Sequence, residues 1–507
     1  MLAMVFSVAL ALRLWGIYFG LPFLYHPDEP AYVLQALAVG RGLPNGLTFA
    51  NPPLYKYVLL AIYAITFGLG RTMGVYASQQ QFIEQFRADP TLLYVVARIV
   101  SALFGALTVL GAYSVATIAR SPRAGLIAAG LTAVTYLLVR ESHFAVNDAL
   151  VTLCVVVGLA CCVRVARYGR RRDSILAGIV LGLAFSAKYQ GVILLLPVVI
   201  AHRKRTDLLI ALAAALATVL LTFPSLLTEP LRVVEDIYIH LYVPAHTGYD
   251  GLDPGGGYTF YVRTLALGLG LPMLVLACFA VAVGLLRRDR VVLIVGSVPL
   301  ALFALLGSSE MYFARFILPA VPSIVILAAL LVDELIDSVG RVIGGALVAV
   351  VLLGTAPNTL RFDALLTQAD TRTEAREWIQ TRLAPGSRVA VDATPLGPAL
   401  DNTGADALVV NDFALFDHSL NDYRQLGVKY LVVSSFVSDV PVMDPVRDAH
   451  RREFSAEIVE RGTVLAQFRP FSADVPPFTY DQIYGPFDSL SSFVRPGPTI
   501  TIYELSR

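Results

Sequence analysis

The sequence predicts a polytopic α-helical membrane protein with a C-terminal α/β domain on the extracytoplasmic side. The first observation behind this is composition. The 507 residues are 56% hydrophobic and only 15% charged, with mean hydropathy +0.67, which a water-exposed surface excludes. The second is the recurrence of apolar runs of spanning length. The third is a charge asymmetry beneath the net charge of +1: residues 357–507 hold 14 Lys+Arg against 20 Asp+Glu, leaving 25 against 18 before them. A membrane body over 1–356 and a mildly acidic soluble domain over 357–507 follow from it.

A spanning helix needs about 20 apolar residues. Candidate runs lie at 2–20, 95–119, 124–139, 149–166, 174–187, 190–201, 207–226, 261–286, 291–307, 316–334 and 342–356, about 11 transmembrane helices. The first lacks a basic leader region and a small-residue cleavage site, so it reads as a retained helix. A further run, 54–70, is settled by charge. The basic clusters at Arg120 with Arg123, 164–172, 202–205 and 287–290 fall on one side only if 54–70 does not cross. It is therefore placed as a juxtamembrane helix in a first outer loop, 21–92. This puts the N-terminus in the cytoplasm and 25–92, 140–148, 225–258, 307–315 and the tail outside the plasma membrane. The shortest crossings, 174–187 and 190–201, flank Lys188.

The tail shows βα punctuation. Residues 371–383 have helical periodicity and stop at Pro385-Gly386, a β-like run follows at 388–392, 428–434 reads as a buried strand, and 499–504 as an alternating one. No GxGxxG or P-loop run supports nucleotide binding, and nothing points to nucleic acid. The four cysteines lie in apolar segments without CxxC spacing and read as small core residues.

Chemistry concentrates in 21–35, LPFLYHPDEPAYVLQ, where Asp28 and Glu29 adjoin the first apolar run. Ionised groups beside hydrocarbon are costly and mark substrate or ion sites. Asp28 before Glu29-Pro30 also fits a helix cap, and both readings can hold. The predicted topology brings Arg140, Glu141, His143 and Asp148 to the same face, with Asp148 alternatively an N-cap. Lys188, in SAKYQG, is either a snorkelling lysine or a phosphate-binding ammonium. Arg315 is either an interfacial anchor beside Tyr312 and Phe313 or a bidentate phosphate ligand. Arg13 and Arg98 are expected to pair internally. Together these groups predict a cavity with carboxylates on one side and cations on the other, suited to transfer from a lipid phosphate. Asp28, Glu29 and His143 are an oxygen-rich set for a possible divalent metal, but no metal-binding spacing occurs and no cofactor is required.

The runs HPDEPAYV, NPPLYKYVLLAIY, RIVSALFGALTVLGAYSVA, the 140–148 segment, AKYQGVILLLP and ARFILPAVPSIVILAA resemble glycosyltransferase family 39 over residues 10–335. That family has the GT-C fold and includes protein O-mannosyltransferases and aminoarabinose transferases. The tail is similar to the outer domains of uncharacterised bacterial members. The resemblance implies inverting transfer of a sugar from a polyprenyl-phosphate donor to a lipid, glycan or protein acceptor at the outer face. Asp28 matches the catalytic base and Glu29 its neighbour in the Asp-Glu pair, and both are expected to be catalytic. Asp148 matches the second outer-loop acid, Arg315 the arginine near the lipid phosphate, and Lys188 is similar in placement to a phosphate-side lysine. Arg140, His143, Tyr55, Lys56 and Tyr189 join the substrate-binding set through the same runs. One departure is Asn51, where aminoarabinose transferases often carry a lysine before the proline that Pro52 matches. No MIR-like repeat accompanies the chain, so a protein acceptor is not specifically implied. A transporter or flippase of lipid-linked saccharides is the alternative. It would show inverted repeats and broken helices at the midplane, whereas no internal repeat is evident. A membrane-anchored binding protein would leave the outer-loop acids unexplained.

Overall fold

The computed structural model describes residues 1–43, 47–249, 251–400, 409–412, 414–441, 448–472 and 475–505. The remaining positions of the expected first loop, of the outer segment 225–258 and of the tail lie outside the described residues. The chain forms two compact units. The first comprises Met1–Ile17, Asp28–Tyr249 and Asp253–Leu360, and the second Tyr18–Pro27, Asp250–Leu252 and Arg361–Arg507.

The first unit is helical. It opens with α1 (Leu2–Leu14), α2 (Glu29–Gly40), α3 (Leu54–Thr72), α4 (Gln79–Ala88), α5 (Thr91–Ala119), α6 (Pro122–Val134), α7 (Tyr136–Arg140), α8 (Asp148–Tyr168) and α9 (Arg171–Ala187). A 3₁₀ turn, Tyr189–Leu194, leads into α10 (Leu195–Ala201) and α11 (Arg205–Thr222). The short helices α12 (Ser225–Thr228), α13 (Pro230–Ile237) and α14 (Val243–Thr247) precede α15 (Gly257–Leu269), α16 (Leu271–Leu286), α17 (Arg290–Gly307), α18 (Val321–Val339) and α19 (Arg341–Leu366).

Among the described residues, six helices are long and apolar enough to cross a membrane: Thr91–Ala119, Asp148–Tyr168, Arg205–Thr222, Arg290–Gly307, Ala314–Val339 and Arg341–Arg382. A seventh is counted if α15 and α16, bent by 112°, act as one, and Leu2–Leu14, Pro122–Val134 and Tyr189–Ala201 are shorter apolar helices. Several continuous runs in the sequence are thus interrupted. The 261–286 run breaks at Gly270, which has φ +82° and whose absent Cβ would lie 2.6 Å from the Gly354 carbonyl oxygen of α19. Only glycine accommodates that backbone and that approach. The 124–139 run breaks at Thr135, where the Tyr136 amide leaves the helical ladder and donates to Thr355 Oγ1 at 3.0 Å. The 2–20 run is helical only to Leu14, and the 190–201 run begins as 3₁₀.

The four basic clusters gather at one end of this unit. Arg120 and Arg123 pair with Asp333 and Asp337 near the end of α18, and Arg287 pairs with Glu334 there. Arg290 donates to the Ile200 and Ala201 carbonyls, which brings 202–205 alongside, and Arg167 donates to the Ala119 carbonyl. Because α8 runs from Asp148 to Tyr168, about 30 Å at 1.5 Å per residue, Asp148 stands at the opposite end.

The second unit holds a five-stranded sheet with order β2-β1-β3-β5-β4, where β1 is Val389–Asp392, β2 Val409–Asp412, β3 Tyr430–Ser434, β4 Gly462–Phe468 and β5 Ile500–Leu505. The first three strands run parallel, and β5 is antiparallel to both β3 and β4. One face packs Val389, Val391, Val432, Ile500 and Ile502 against Ala375 and Ile379 of helix α20 (Thr371–Arg382). The other packs Ala390 and Leu431 against Leu420, Tyr423, Phe454 and Ile458. The strand expected to alternate, β5, lies inside the sheet and is buried on both faces. Its Thr501 is accommodated by a 3.0 Å bond from Gln467 Nε2. Strands β2 and β4 were not predicted.

Candidate active site

The N-terminus of α2 sets two adjacent carboxylates to different tasks. Glu29 is fully buried and bidentate with Arg98 of α5: Arg98 Nε donates to Oε1 at 2.7 Å and Nη2 to Oε2 at 2.6 Å. The Ala145 amide adds a 2.8 Å bond to Oε1, and Arg98 Nη1 reaches the Ile17 carbonyl at 2.7 Å. The Glu29–Arg98 pair therefore braces α2, α5, the segment after α1 and the loop before α8. The expected internal pairing of Arg98 is found here, and Arg13 donates to the Ala9 and Ala133 carbonyls.

Asp28 occupies the N-cap position of α2, yet its side chain makes no capping bond. It faces Arg315 at 2.5 Å, and 35% of its side chain remains exposed. One helical turn on, the Tyr32 hydroxyl donates to Asn147 Oδ1 at 2.9 Å. Burial, reinforced by Asp148 and Asp28 and opposed by Arg315, pushes this phenol well above its ordinary pKa, so it stays a neutral donor. Asn147 donates onward to the Ala187 carbonyl at 2.8 Å and to Asn51 Oδ1 at 3.2 Å. Its neighbour Asp148, the first residue of α8, accepts from Lys188 Nζ at 2.6 Å.

The two cations converge on one ring. Lys188 Nζ lies 4.9 Å from the Phe316 centroid, and the Arg315 guanidinium carbon lies 5.6 Å from it and 5.2 Å from that of Phe313. Aromatic faces hold cations in this way without neutralising them. The expected separation of carboxylates from cations is corrected here: each acid faces its own base, because unpaired charges in so dry a setting would be costly. An anion entering beside Phe316 meets two cations whose present counter-charges, Asp28 and Asp148, it can replace.

Other predicted site residues engage different partners. Tyr55 bonds Ser101 Oγ at 2.8 Å and meets the Tyr32 ring edge-on at 5.5 Å. Lys56 donates to the Thr48 and Asn51 carbonyls at 2.6 and 3.1 Å. Burial pulls its pKa down to about 7, against the opposing pull of Asp236. Tyr189 donates to the Phe49 carbonyl at 2.8 Å. Lys56 and Tyr189 thereby shape the loop that carries Asn51. Arg140 pairs with Glu141, and His143 spans the Val139 and Trp15 carbonyls, each at 2.9 Å. Asp28, Glu29 and His143 thus have separate partners, and no cluster of three or more His, Cys, Asp or Glu suited to a metal occurs among the described residues. Sequence reasoning missed Tyr32, Asn147 and Phe316. The spacing of Tyr32, three and four residues beyond the acid pair, is the signal that would have found it.

Residues 48–227 match the family model described as dolichyl-phosphate-mannose-protein mannosyltransferase. No curated protein matches the chain. Among solved structures, ArnT from Cupriavidus metallidurans bound to undecaprenyl phosphate is similar, with TM-score 0.55 and 15% identity, over 92% of this chain and 96% of that one. The Archaeoglobus fulgidus oligosaccharyltransferase complex with Zn and sulfate is also similar, with TM-score 0.50 and 13% identity, over 86% of this chain and 68% of that one. The chain is a glycosyltransferase of GT-C fold. It is a multi-pass membrane protein. The family match takes in Asn51, Arg98, Asn147, Asp148 and Lys188 of this transferase, whereas Asp28, Glu29 and Arg315 lie outside the matched segment. Their assignment rests on the geometry above.

Proposed function

We propose that this glycosyltransferase moves a sugar, with inversion, from a polyprenyl-phosphate donor to an acceptor hydroxyl at the extracytoplasmic face of the plasma membrane. The carrying observation is the half-open Asp28 held by Arg315 beside the Asp148–Lys188 pair. That ArnT was solved with undecaprenyl phosphate supports the donor class. In this reading the donor phosphate takes Arg315 and Lys188, and Asp28 is released from its ion pair. Asp28 then removes the acceptor's proton as its oxygen attacks the anomeric carbon. The bond from that carbon to the phosphate oxygen breaks with its electron pair, and the two cations stabilise the phosphate charge that develops. Attack opposite the leaving group inverts the centre. Glu29 is assigned to positioning: with Arg98 it fixes the start of α2, and so the direction of Asp28.

Lipid, glycan and protein acceptors all present a suitable nucleophile. The gathering of the four basic clusters at one end supports placing that end in the cytoplasm, and Asp148 outside. The test is purified protein in vesicles with radiolabelled polyprenyl-phosphate sugars. Sugar released from phosphate, with product of opposite anomeric configuration by NMR, is expected. Passage of intact donor between leaflets without release would favour the flippase.

A further inference from the structure

Away from the catalytic end, an apolar cleft of about 410 Å³ opens between α10, α16 and α17. Its walls include Leu196, Ile200, Leu285, Val292, Gly296 and Ala301. Gly296 gives it depth, since a Cβ there would meet only Val281 Cγ2, at 3.6 Å. The Ser297 hydroxyl in the wall already donates to the Ile294 carbonyl at 2.8 Å, so the lining offers an entering molecule hydrocarbon alone. From Val292 to Ala301 the cleft follows α17 for about 14 Å. Leu196, Leu285 and Leu300 stand exposed along it, which opens it to the bilayer.

One end of this cleft is strongly basic. Ile200 is followed by His202, Arg203, Lys204 and Arg205, Leu285 by Arg287 and Arg288, and Val292 is preceded by Arg290. Arg290 ties the runs together through the Ile200 and Ala201 carbonyls, at 2.9 and 3.1 Å. Of the acids nearby, Asp289 caps α17 and Glu334 pairs with Arg287, and Asp207 in the first turn of α11 leaves the cations of 202–205 and 287–290 in excess. Arg203, Lys204, Arg205 and Arg288 are exposed and form no ion pair among the described residues. His202 Nδ1 lies 2.7 Å from the Val198 carbonyl, while its Nε2 is buried without a hydrogen-bond partner.

We infer that this cleft is a binding site for an anionic phospholipid, with one acyl chain along α17 and the phosphate on the 202–205 and 287–290 rim. Charge complementarity selects this occupant, since basic pockets at helix ends hold anionic headgroups. A neutral lipid would fill the apolar part and leave the rim unmatched. The site is separate from the Asp28–Arg315 centre and does not depend on the proposed transfer.

The test is native mass spectrometry of the full-length protein after exchange against dioleoyl phosphatidylglycerol or dioleoyl phosphatidylcholine vesicles. Wild type should retain one phosphatidylglycerol and no phosphatidylcholine. Ala301→Trp, which fills the cleft, should abolish retention. The triple change Arg203→Gln, Lys204→Gln, Arg288→Gln, at exposed positions that leave packing intact, should weaken it by roughly 100-fold, from the energy each charge contributes near an anionic surface. Equal retention of both lipids, retention unchanged in the triple variant, or retention of a polyprenyl phosphate alone would overturn the inference.

Discussion

At the scale of single residues, the adjacent acids Asp28 and Glu29 are opposite cases. Asp28 is partly exposed and its ion pair can be exchanged, so Asp28→Asn should leave the protein folded. It should lower transfer by about 10²- to 10⁴-fold, the usual worth of a general base. Glu29→Gln strands the buried Arg98 and should cost about 3–5 kcal/mol. The check is thermal unfolding with yield of monodisperse protein, where Glu29→Gln falls and Asp28→Asn does not. Much of the cluster was legible, because acids and cations stand out in apolar surroundings. Charge alone did not say which groups are buried in bracing pairs, as Glu29 is, and which stay partly exposed, as Asp28 does. Lys56, Tyr189 and His143 looked like substrate ligands in the sequence, yet they hold backbone carbonyls. Asn147 was invisible for the converse reason: an amide beside an aspartate reads as a loop residue, and its bonds to Tyr32, Asn51 and Ala187 join segments far apart in the chain.

At the scale of elements, hydropathy located helices but not their breaks. The bend at Gly270 depends on the approach of Gly354, 84 residues away in the chain, and no local pattern encodes that contact. Gly270→Ala should therefore destabilise the membrane unit by about 1–3 kcal/mol through a disallowed backbone angle and a steric clash. Gly68→Ala, whose added Cβ meets nothing within 4 Å, is the matched control, and the temperature at which each protein loses its monodisperse peak measures the difference. In the sheet, β1 and β3 were visible as short apolar runs. Strand β4 was not, because it lies at the sheet edge with most of its side chains exposed, and its apolar residues Val464, Leu465, Ala466 and Phe468 do not alternate with polar ones.

At the scale of the molecule, the proposed topology places the second unit outside the cell. Val459 on the helix Ala449–Arg461 is 76% exposed, so Val459→Cys should react with an impermeant maleimide in intact cells. Labelling only after permeabilisation would reverse the orientation. The overall class was legible because an apolar composition and one-sided basic clusters survive without knowledge of any contact. The division, among the described residues, into six long spans, a bent pair and shorter helices was not, since helix length depends on what each helix meets. In the proposed transfer, donor phosphate takes Arg315 and Lys188 and frees Asp28 to act as base. The most direct measurement pairs donor binding with sugar transfer for wild type, Asp28→Asn and Arg315→Ala, using one radiolabelled polyprenyl-phosphate sugar. Asp28→Asn is expected to bind donor at least as tightly as wild type and to transfer about 10²- to 10⁴-fold more slowly, while Arg315→Ala loses binding as well. Full transfer by Asp28→Asn, at wild-type expression, would contradict it.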